Sequence, residues 1–464
     1  MKTQNKNFLY NVIYQIFVFI IPIITTPYIS RVLGVNNVGI YSYTYSIVYY
    51  FMLLSMLGIN NYGSREIAKC KNQEETNTKF KSIYLLQLIL NILCMLIYIM
   101  FVSFVKYEYK QIMIIQIIFL LSVAFDINWF FFGKEKFKIT IKRNIIIKLL
   151  SLIFIFLFVK NEDDLWIYTL IMSTSTLISQ IYLWFFLKNE VQNVKIRLND
   201  ILSHLKQCLI LFIPVISYSI YRVLDKTMIG AIANAAELGN YESAEKIINI
   251  PVSFITALGT VMLPHMSNKN LDEIKDSIYE TFELTYFIIT PMVIGLLLVS
   301  QNFSNIFFGN GFEKTGIIIK ILCITILFSS TSNVIRNNYL IPLKKDNIYV
   351  FSTIIGAVVN IICNTIFIRL YGAYGACIGT VLAEFLLMLY QVVNTKKDIN
   401  YVRVIKIFMS YFLKSMIMGI LIFIIGLVMN SGLLKLIVQI AVAIIVYAIM
   451  NIRYIKYDFF GKKI

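Results

Sequence analysis

The sequence is poor in charge. Asp, Glu, Lys and Arg make up only 14% of its 464 residues, where a soluble domain carries about 25%. It has no polar stretch long enough to bury a core of its own, which excludes a sizeable extramembrane domain. Two histidines, His204 and His265, are too few for a His-based metal site. The cysteines Cys70, Cys94, Cys208, Cys323, Cys363 and Cys377 are scattered, with no metal-type or redox-type pair, and read as small apolar side chains. There is no G-x-x-x-x-G-K-[ST] loop, so ATP does not drive the chain directly, and no G-x-S-x-G elbow or H-E-x-x-H motif.

What is abundant is apolar length. The chain is 58% hydrophobic with mean hydropathy +0.75. Runs of about 20 apolar residues, each enough to cross a hydrocarbon core, fill it from Phe8 to Arg453. The expected fold is an all-α polytopic membrane protein with about fourteen transmembrane helices. Expected spans are 8–28, 38–60, 82–105, 111–132, 144–159, 165–187, 207–230, 239–263, 278–300, 315–335, 347–368, 374–394, 407–428 and 433–452. The first run is too long for a signal h-region and no A-x-A-like site follows it, so it reads as a membrane helix.

The net charge is +17. In a soluble protein that suggests nucleic acid; here the charges lie mostly in short loops, and no nucleic-acid partner is expected. Placing the N-terminus inside puts 29 of the 42 Lys and Arg in inside segments, nine outside and four within helices. Basic residues favour cytoplasmic loops, so the pattern predicts cytoplasmic termini and an even number of spans in a bacterial plasma membrane.

An internal repeat is visible. Residues 21–33 read IPIITTPYISRVL and 213–224 read IPVISYSIYRVL, each followed by a G-x-Y at Gly39 and Gly239. Six spans separate the copies, which predicts parallel lobes related by an axis along the membrane normal, with a cavity between them. The expected organisation is a six-helix lobe over 1–190, a second over 207–395, and an additional helix pair over 405–452.

Arg31 and Arg222 occupy matching repeat positions and are candidates to face one another across that cavity, where guanidinium forks suit oxyanions. The alternative is that both snorkel at the outer interface. Arg222, Asp225 and Lys226 share a helix face. Asp225 either holds the two cations between substrates or is a protonation or Na⁺ site; the alternative is a solvated helix end. Glu242, Glu245 and Lys246 form a similar cluster, in which Glu242 and Lys246 at i,i+4 either act or only neutralise each other. Arg65, beside Glu66, is a candidate to receive a headgroup, against a role in setting topology. Asp126 falls inside the fourth span, with Lys134 or Lys138 as expected partner and a structural role favoured. Glu283 and Glu384 are weaker candidates of the same kind. Tyr41 and Tyr45, with Tyr49, share a face and are candidates to contact sugar rings, against an interfacial aromatic belt. Lys148, Lys320 and Lys414 read as snorkelling side chains.

These residues also carry a resemblance. Arg31-Val32-Leu33-Gly34 with Gly39 and Tyr41 comes first, then Gly63-Ser64-Arg65-Glu66. Asp126-Ile127-Asn128-Trp129-Phe130-Phe131-Phe132-Gly133 runs into Lys134-Glu135-Lys136-Phe137. Arg222, Asp225 and Lys226 follow, then Tyr371-Gly372-Ala373-Tyr374-Gly375-Ala376. In this order on a fourteen-helix frame, the chain resembles the Wzx-type polysaccharide flippases of the multidrug/oligosaccharidyl-lipid/polysaccharide exporter superfamily. The resemblance implies a V of two six-helix lobes and a substrate of oligosaccharide linked by pyrophosphate to undecaprenol, moved to the outer leaflet for capsule or O-antigen assembly. It implies membrane lipids, a polysaccharide polymerase and glycosyltransferases as partners, no cofactor and no catalysis, with Na⁺ or H⁺ coupling left open. The last two helices would form a groove for the lipid tail. The rival readings are a lipid II flippase or a multidrug antiporter of the same superfamily and, more distantly, a membrane-embedded polymerase or ligase. The basic pair Arg31 and Arg222 argues against a cavity for cationic drugs, and the short outer loops argue against the enzyme.

Overall fold

The computed structural model describes residues 2–105, 107–188, 190–267 and 271–454, without the side chains of 2–20, 107, 214, 217–218, 220–222, 257–267 and 271–276. Every regular element among the described residues is a helix: α1 (Lys2–Met56), α2 (Ile59–Lys69), α3 (Gln73–Ser103), α4 (Tyr107–Ala124), α5 (Asn128–Gly133), α6 (Phe137–Phe158), α7 (Leu165–Leu187), α8 (Leu198–Leu202), α9 (Leu205–Ile232), α10 (Ala235–Ser267), α11 (Leu271–Phe308), α12 (Glu313–Ile335), α13 (Asp346–Tyr371), α14 (Ala373–Thr395), α15 (Tyr401–Val428) and α16 (Leu433–Met450). Only α2, α5 and α8 are short. Because α1 is two helices joined end to end, fourteen long helices stand where the sequence predicts fourteen. Among the described residues, ten helical stretches are long and apolar enough to cross a membrane. The long helices outside that set, α6, α9 and α10, are those carrying Arg143, Asp225 and Glu242 with their charged neighbours.

The chain divides into two compact units, Met1–Ala231 and Ile232–Ile464. This division groups α9 with the first unit, whereas the sequence assigned residues from 207 onward to a second lobe.

In the first unit the expected loop between the first two spans is absent. Gly34 alone breaks α1, at φ 73° and ψ 168°, a backbone region open to glycine and costly for other residues. The fourth span also differs from expectation. It ends at Ala124, and Phe125–Ile127 are not helical before α5 begins. Asp126 therefore lies in a helix break rather than inside a helix. Carbonyls freed by such a break must be satisfied inside the protein. Gln87 of α3 does this, its Nε2 donating to Val123 O at 2.7 Å and Asp126 O at 2.9 Å, while its Oε1 accepts from Trp129 Nε1 at 3.0 Å. The buried Trp129 in turn seats on α2: a Cβ at Gly63 would lie 2.5 Å from its ring, and one at Gly133 would lie 2.7 Å from Ser64 O. The G-S-R-E and D-I-N-W-F-F-F-G segments are thus two halves of one contact.

The connection from α7 to α9 is fastened to the start of α3. Gln73 donates to Glu190 O at 2.5 Å, Gln192 N donates to Asn77 Oδ1 at 3.1 Å, and Lys81 reaches Asn193 and Val194 O. His204 closes the clamp. It is 3% exposed, with Nδ1 2.6 Å from the Tyr62 hydroxyl and Nε2 2.8 Å from the Ser82 hydroxyl.

In the second unit α13 and α14 pack through small residues. Gly375, Gly379 and Ala383 repeat every fourth position, the spacing that lets membrane helices approach closely. A Cβ at Gly375 would lie 2.0 Å from Phe367 O, and one at Gly379 2.2 Å from Asn364 Oδ1. The pair α15 and α16 docks on α11 through polar contacts. Ser415 Oγ donates to Thr290 Oγ1 at 2.9 Å, the Tyr447 hydroxyl donates to Phe287 O at 2.8 Å, and the Tyr411 hydroxyl donates to Glu283 Oε1 at 2.9 Å. Lys414 does not simply snorkel: its Nζ donates to Asn451 Oδ1 at 2.8 Å and lies 5.1 Å from the Tyr411 ring centre.

Two outcomes follow for stability in detergent. Gly375→Val overpacks the α13–α14 contact and costs at least about 1–3 kcal/mol. Gly295→Ala, where a Cβ meets open space, is neutral or gains a few tenths; thermal midpoints compare the two. Burial, then Lys79, holds the His204 imidazole below its ordinary value, against the weaker opposing pull of Glu66 and Asp200. The unfolded chain takes up that proton near about pH 6.5. Stability is therefore full above about pH 6.5 and falls as pH drops below it. A midpoint series across that range reads this, and His204→Gln flattens it.

Candidate functional site

The predicted tyrosine face exists. Tyr41 and Tyr45, one helical turn apart after Gly34, stack with ring centres 5.8 Å apart, and Tyr45 and Tyr49 lie 6.2 Å apart. All three are half-buried. Tyr168 of α7 meets the edge of Tyr41 at 4.9 Å, and Phe119 of α4 meets Tyr45 at 5.2 Å. The ladder is thus a braced ring platform within the first unit, a surface on which pyranose C–H groups can stack.

Helix α9 lies alongside it. Thr227 Oγ1 donates to Ser46 Oγ at 3.0 Å, and a Cβ at Gly230 would lie 2.2 Å from the Tyr43 ring. This contact draws in the charged triplet. Asp225 is 6% exposed and lies within electrostatic reach of the Tyr50 hydroxyl. It is not part of a solvated helix end, because α9 continues to Ile232. Lys226 is half-buried on the same helix. Arg222 shares their face one turn earlier; its side chain lies outside the described residues. Both repeat arginines fall in the same compact unit. Arg31 is exposed, three residues before the Gly34 break and near the segment where Asn37 Nδ2 donates to Glu162 O at 2.8 Å.

The remaining four candidates have their own settings. Arg65 is exposed on α2, and its neighbour Glu66 is engaged by Lys69 at 2.7 Å and Lys79 at 3.6 Å. Glu242 pairs with Lys246 at 3.6 Å along α10, as the i,i+4 spacing predicts, and Glu245 is half-buried nearby. Asp126 is half-buried in the break after α4. Its Oδ1 accepts from Asn128 N at 2.9 Å and Nδ2 at 2.7 Å, and the cation beside it is Arg143; Lys134 donates instead to Thr76 Oγ1 at 3.3 Å.

Arg143 is the group that sequence reasoning missed, having been placed with the inside loop charges. It is 4% exposed. Its Nη2 donates to Asn128 Oδ1 at 3.0 Å and Asn144 Oδ1 at 2.7 Å, its Nε to Asn144 Oδ1 at 3.1 Å, and its Nη1 to Gln180 Oε1 at 3.3 Å. The available signal was three amides, Asn128, Asn144 and Gln180, in otherwise apolar segments. Buried charge inside a membrane bundle is retained only with such partners. No group of three His, Cys, Asp or Glu among the described residues could hold a metal ion.

Long apolar helices with paired charges sealed among them define a polytopic membrane transporter. The sequence profile of the polysaccharide biosynthesis protein family matches residues 5–269, more than half of the chain, and the chain belongs to that family. It is 24% identical over 383 residues to a putative O-antigen transporter of Shigella dysenteriae, covering 82% of this chain and 96% of that one. It is 28% identical over 205 residues to the lipid II flippase MurJ of Bacillus subtilis, covering 41% of this chain and 37% of that one. Among solved structures, an inward closed lipid II flippase MurJ superposes with TM-score 0.77 at 19% identity, covering 96% of this chain and 99% of that one. An inward-facing multidrug resistance MATE family transporter of the MOP superfamily superposes with TM-score 0.61 at 13% identity, covering 85% of this chain and 95% of that one. These likenesses show the shared fold.

Removing buried Arg143 strips half-buried Asp126 of the cation beside it and leaves amide oxygens without their donor. Arg143→Leu costs about 1–3 kcal/mol, while the double variant Asp126→Asn, Arg143→Leu loses less than the sum of its singles. Unfolding midpoints of the four proteins in a double-mutant cycle test this coupling.

Proposed function

We propose that the chain is a flippase. It carries polyprenyl-pyrophosphate-linked oligosaccharide repeat units from the cytoplasmic to the outer leaflet of the plasma membrane, by alternating access between two lobes, with both termini cytoplasmic. The observation that carries this reading is the near end-to-end likeness to the O-antigen transporter, 96% of whose length is matched. The residues supply a chemistry that fits. Arg222, Lys226 and Arg31 offer guanidinium and ammonium groups to a pyrophosphate. The Tyr41–Tyr45 platform offers ring faces to sugars, and Arg65 receives the headgroup on the cytoplasmic side. Asp225 holds the basic pair when the site is empty and is the residue at which H⁺ or Na⁺ coupling would act, with Glu242 and Glu245 as secondary candidates. Asp126, locked beside Arg143, serves the scaffold.

The membrane potential suffices as a driving force. It is worth about 2.3 kcal/mol per charge per 100 mV, so a headgroup of about two negative charges gains roughly 5 kcal/mol moving out of a cell negative inside. Ion coupling would then serve only to reset the empty carrier. A lipid II substrate is the second reading, favoured by the TM-score of 0.77 to a lipid II flippase and by the helix pair α15–α16.

Arg222→Ala is expected to raise inner-leaflet lipid-linked oligosaccharide several-fold and to deplete surface polysaccharide. Normal surface polysaccharide after loss of both Arg31 and Arg222 overturns the site. Rescue of a strain lacking its lipid II flippase, with no effect on surface polysaccharide, selects the second reading.

A further inference from the structure

Near the turn that joins α15 to α16, those two helices and the end of α11 line a half-open cavity of about 310 Å³. Its wall is unusual for an apolar bundle. Gln301, Asn302 and Asn305 of α11 line it, opposite Lys435 and Gln439 of α16, and no carboxylate is among the lining residues. The nearby acid Glu313, whose backbone carbonyl accepts from Gln301 Nε2 at 3.2 Å, has its Oε1 accepting from Gly311 N at 3.0 Å.

Gln439 is the informative group. It is 3% exposed, and its Nε2 donates to Ile422 O at 3.0 Å, yet its Oε1 is buried with no hydrogen-bond partner. A sealed carbonyl oxygen calls for a donor, and a bound hydroxyl supplies one. Lys435 Nζ donates to Gly426 O at 2.6 Å, which leaves two of its three N–H donors for an anion. The cavity therefore asks for a small head that combines negative charge with a hydroxyl. Its rim asks for a chain. Phe423, 55% exposed, and Leu427, 72% exposed, line the cavity and continue the apolar outer stripe of α15 through Ile420, Ile417 and Leu413. Gln439 lies six residues into α16, about 9 Å below the turn, the depth of a headgroup–acyl boundary.

We infer that this cavity binds the head of an anionic phosphoglycerol lipid, its phosphate on Lys435 and Asn305, its glycerol hydroxyl on Gln439 Oε1, and its chains along α15. The volume suits one such head and is too small for an oligosaccharide, which favours a bulk membrane lipid over a glycan-bearing carrier. The site is independent of the flippase reading, because it depends on no residue proposed to touch substrate.

The test uses the full chain in detergent, titrated with phosphatidylglycerol, phosphatidylcholine and undecaprenyl phosphate, and read by native mass spectrometry and thermal midpoint. Phosphatidylglycerol is expected to bind at one site and to raise the midpoint, while phosphatidylcholine does neither. Lys435→Gln and Asn305→Leu are each expected to weaken phosphatidylglycerol about tenfold or more. Asn305 is exposed, so that variant keeps the test valid if Lys435→Gln fails to fold. Equal binding of the two phospholipids overturns the inference, as does unchanged phosphatidylglycerol affinity in the folded variants, or a preference of the site for undecaprenyl phosphate.

Discussion

A polar group surrounded by hydrocarbon has no water to bond, so the bundle must supply its partner. The arrangement of the first unit follows from that constraint. The break after Ala124 frees backbone carbonyls, and Gln87 takes two of them while holding the Trp129 indole. Trp129 then requires a glycine opposite, and Gly63 is there. The break also carries Asp126, whose Oδ1 Asn128 hydrogen-bonds and whose charge Arg143 offsets, and Arg143 in turn draws in Asn144 and Gln180. One interruption in a helix thus accounts for polar residues contributed by four elements.

The second unit obeys the same rule with different means. Helices in lipid gain little by hiding apolar surface from one another. The α13–α14 pair gains contact by removing side chains, at Gly375 and Gly379, so that backbones approach. The α15–α16 pair instead fastens to α11 with hydroxyls: Ser415 to Thr290, Tyr447 to Phe287 O, and Tyr411 to Glu283, while Lys414 to Asn451 ties the pair to itself. Its outer faces stay apolar from Leu413 to Val428.

Periodic features were legible in the sequence. The number of long helices and the Tyr41–Tyr45 face needed only hydropathy and the 3.6-residue repeat, and the Glu242–Lys246 pair needed only i,i+4 spacing. Departures from periodicity were not legible. The segment around Asp126 reads as continuous apolar helix because Ile127 and Trp129 to Phe132 satisfy the same hydropathy whether or not the backbone turns. Arg143 sits beside Lys142 at the edge of a basic loop, and only its contacts with residues fifteen and thirty-seven positions away reveal that it faces inward. Asp225 was visible as a charge, but its burial goes with the seating of α9 on α1, where Thr227 meets Ser46 and Gly230 meets Tyr43, and sequence spacing does not reveal those pairings.

The junction at Gly34 has one more consequence. Because a single residue, rather than a flexible loop, joins the two arms of α1, their rotational phase is locked. Each residue added there would turn the following arm by about 100° and shift it by about 1.5 Å. One inserted residue would swing Tyr41, Tyr45 and Tyr49 away from Tyr168 and Phe119. A change of length at this point of the chain is therefore a change of direction for everything that the second arm carries.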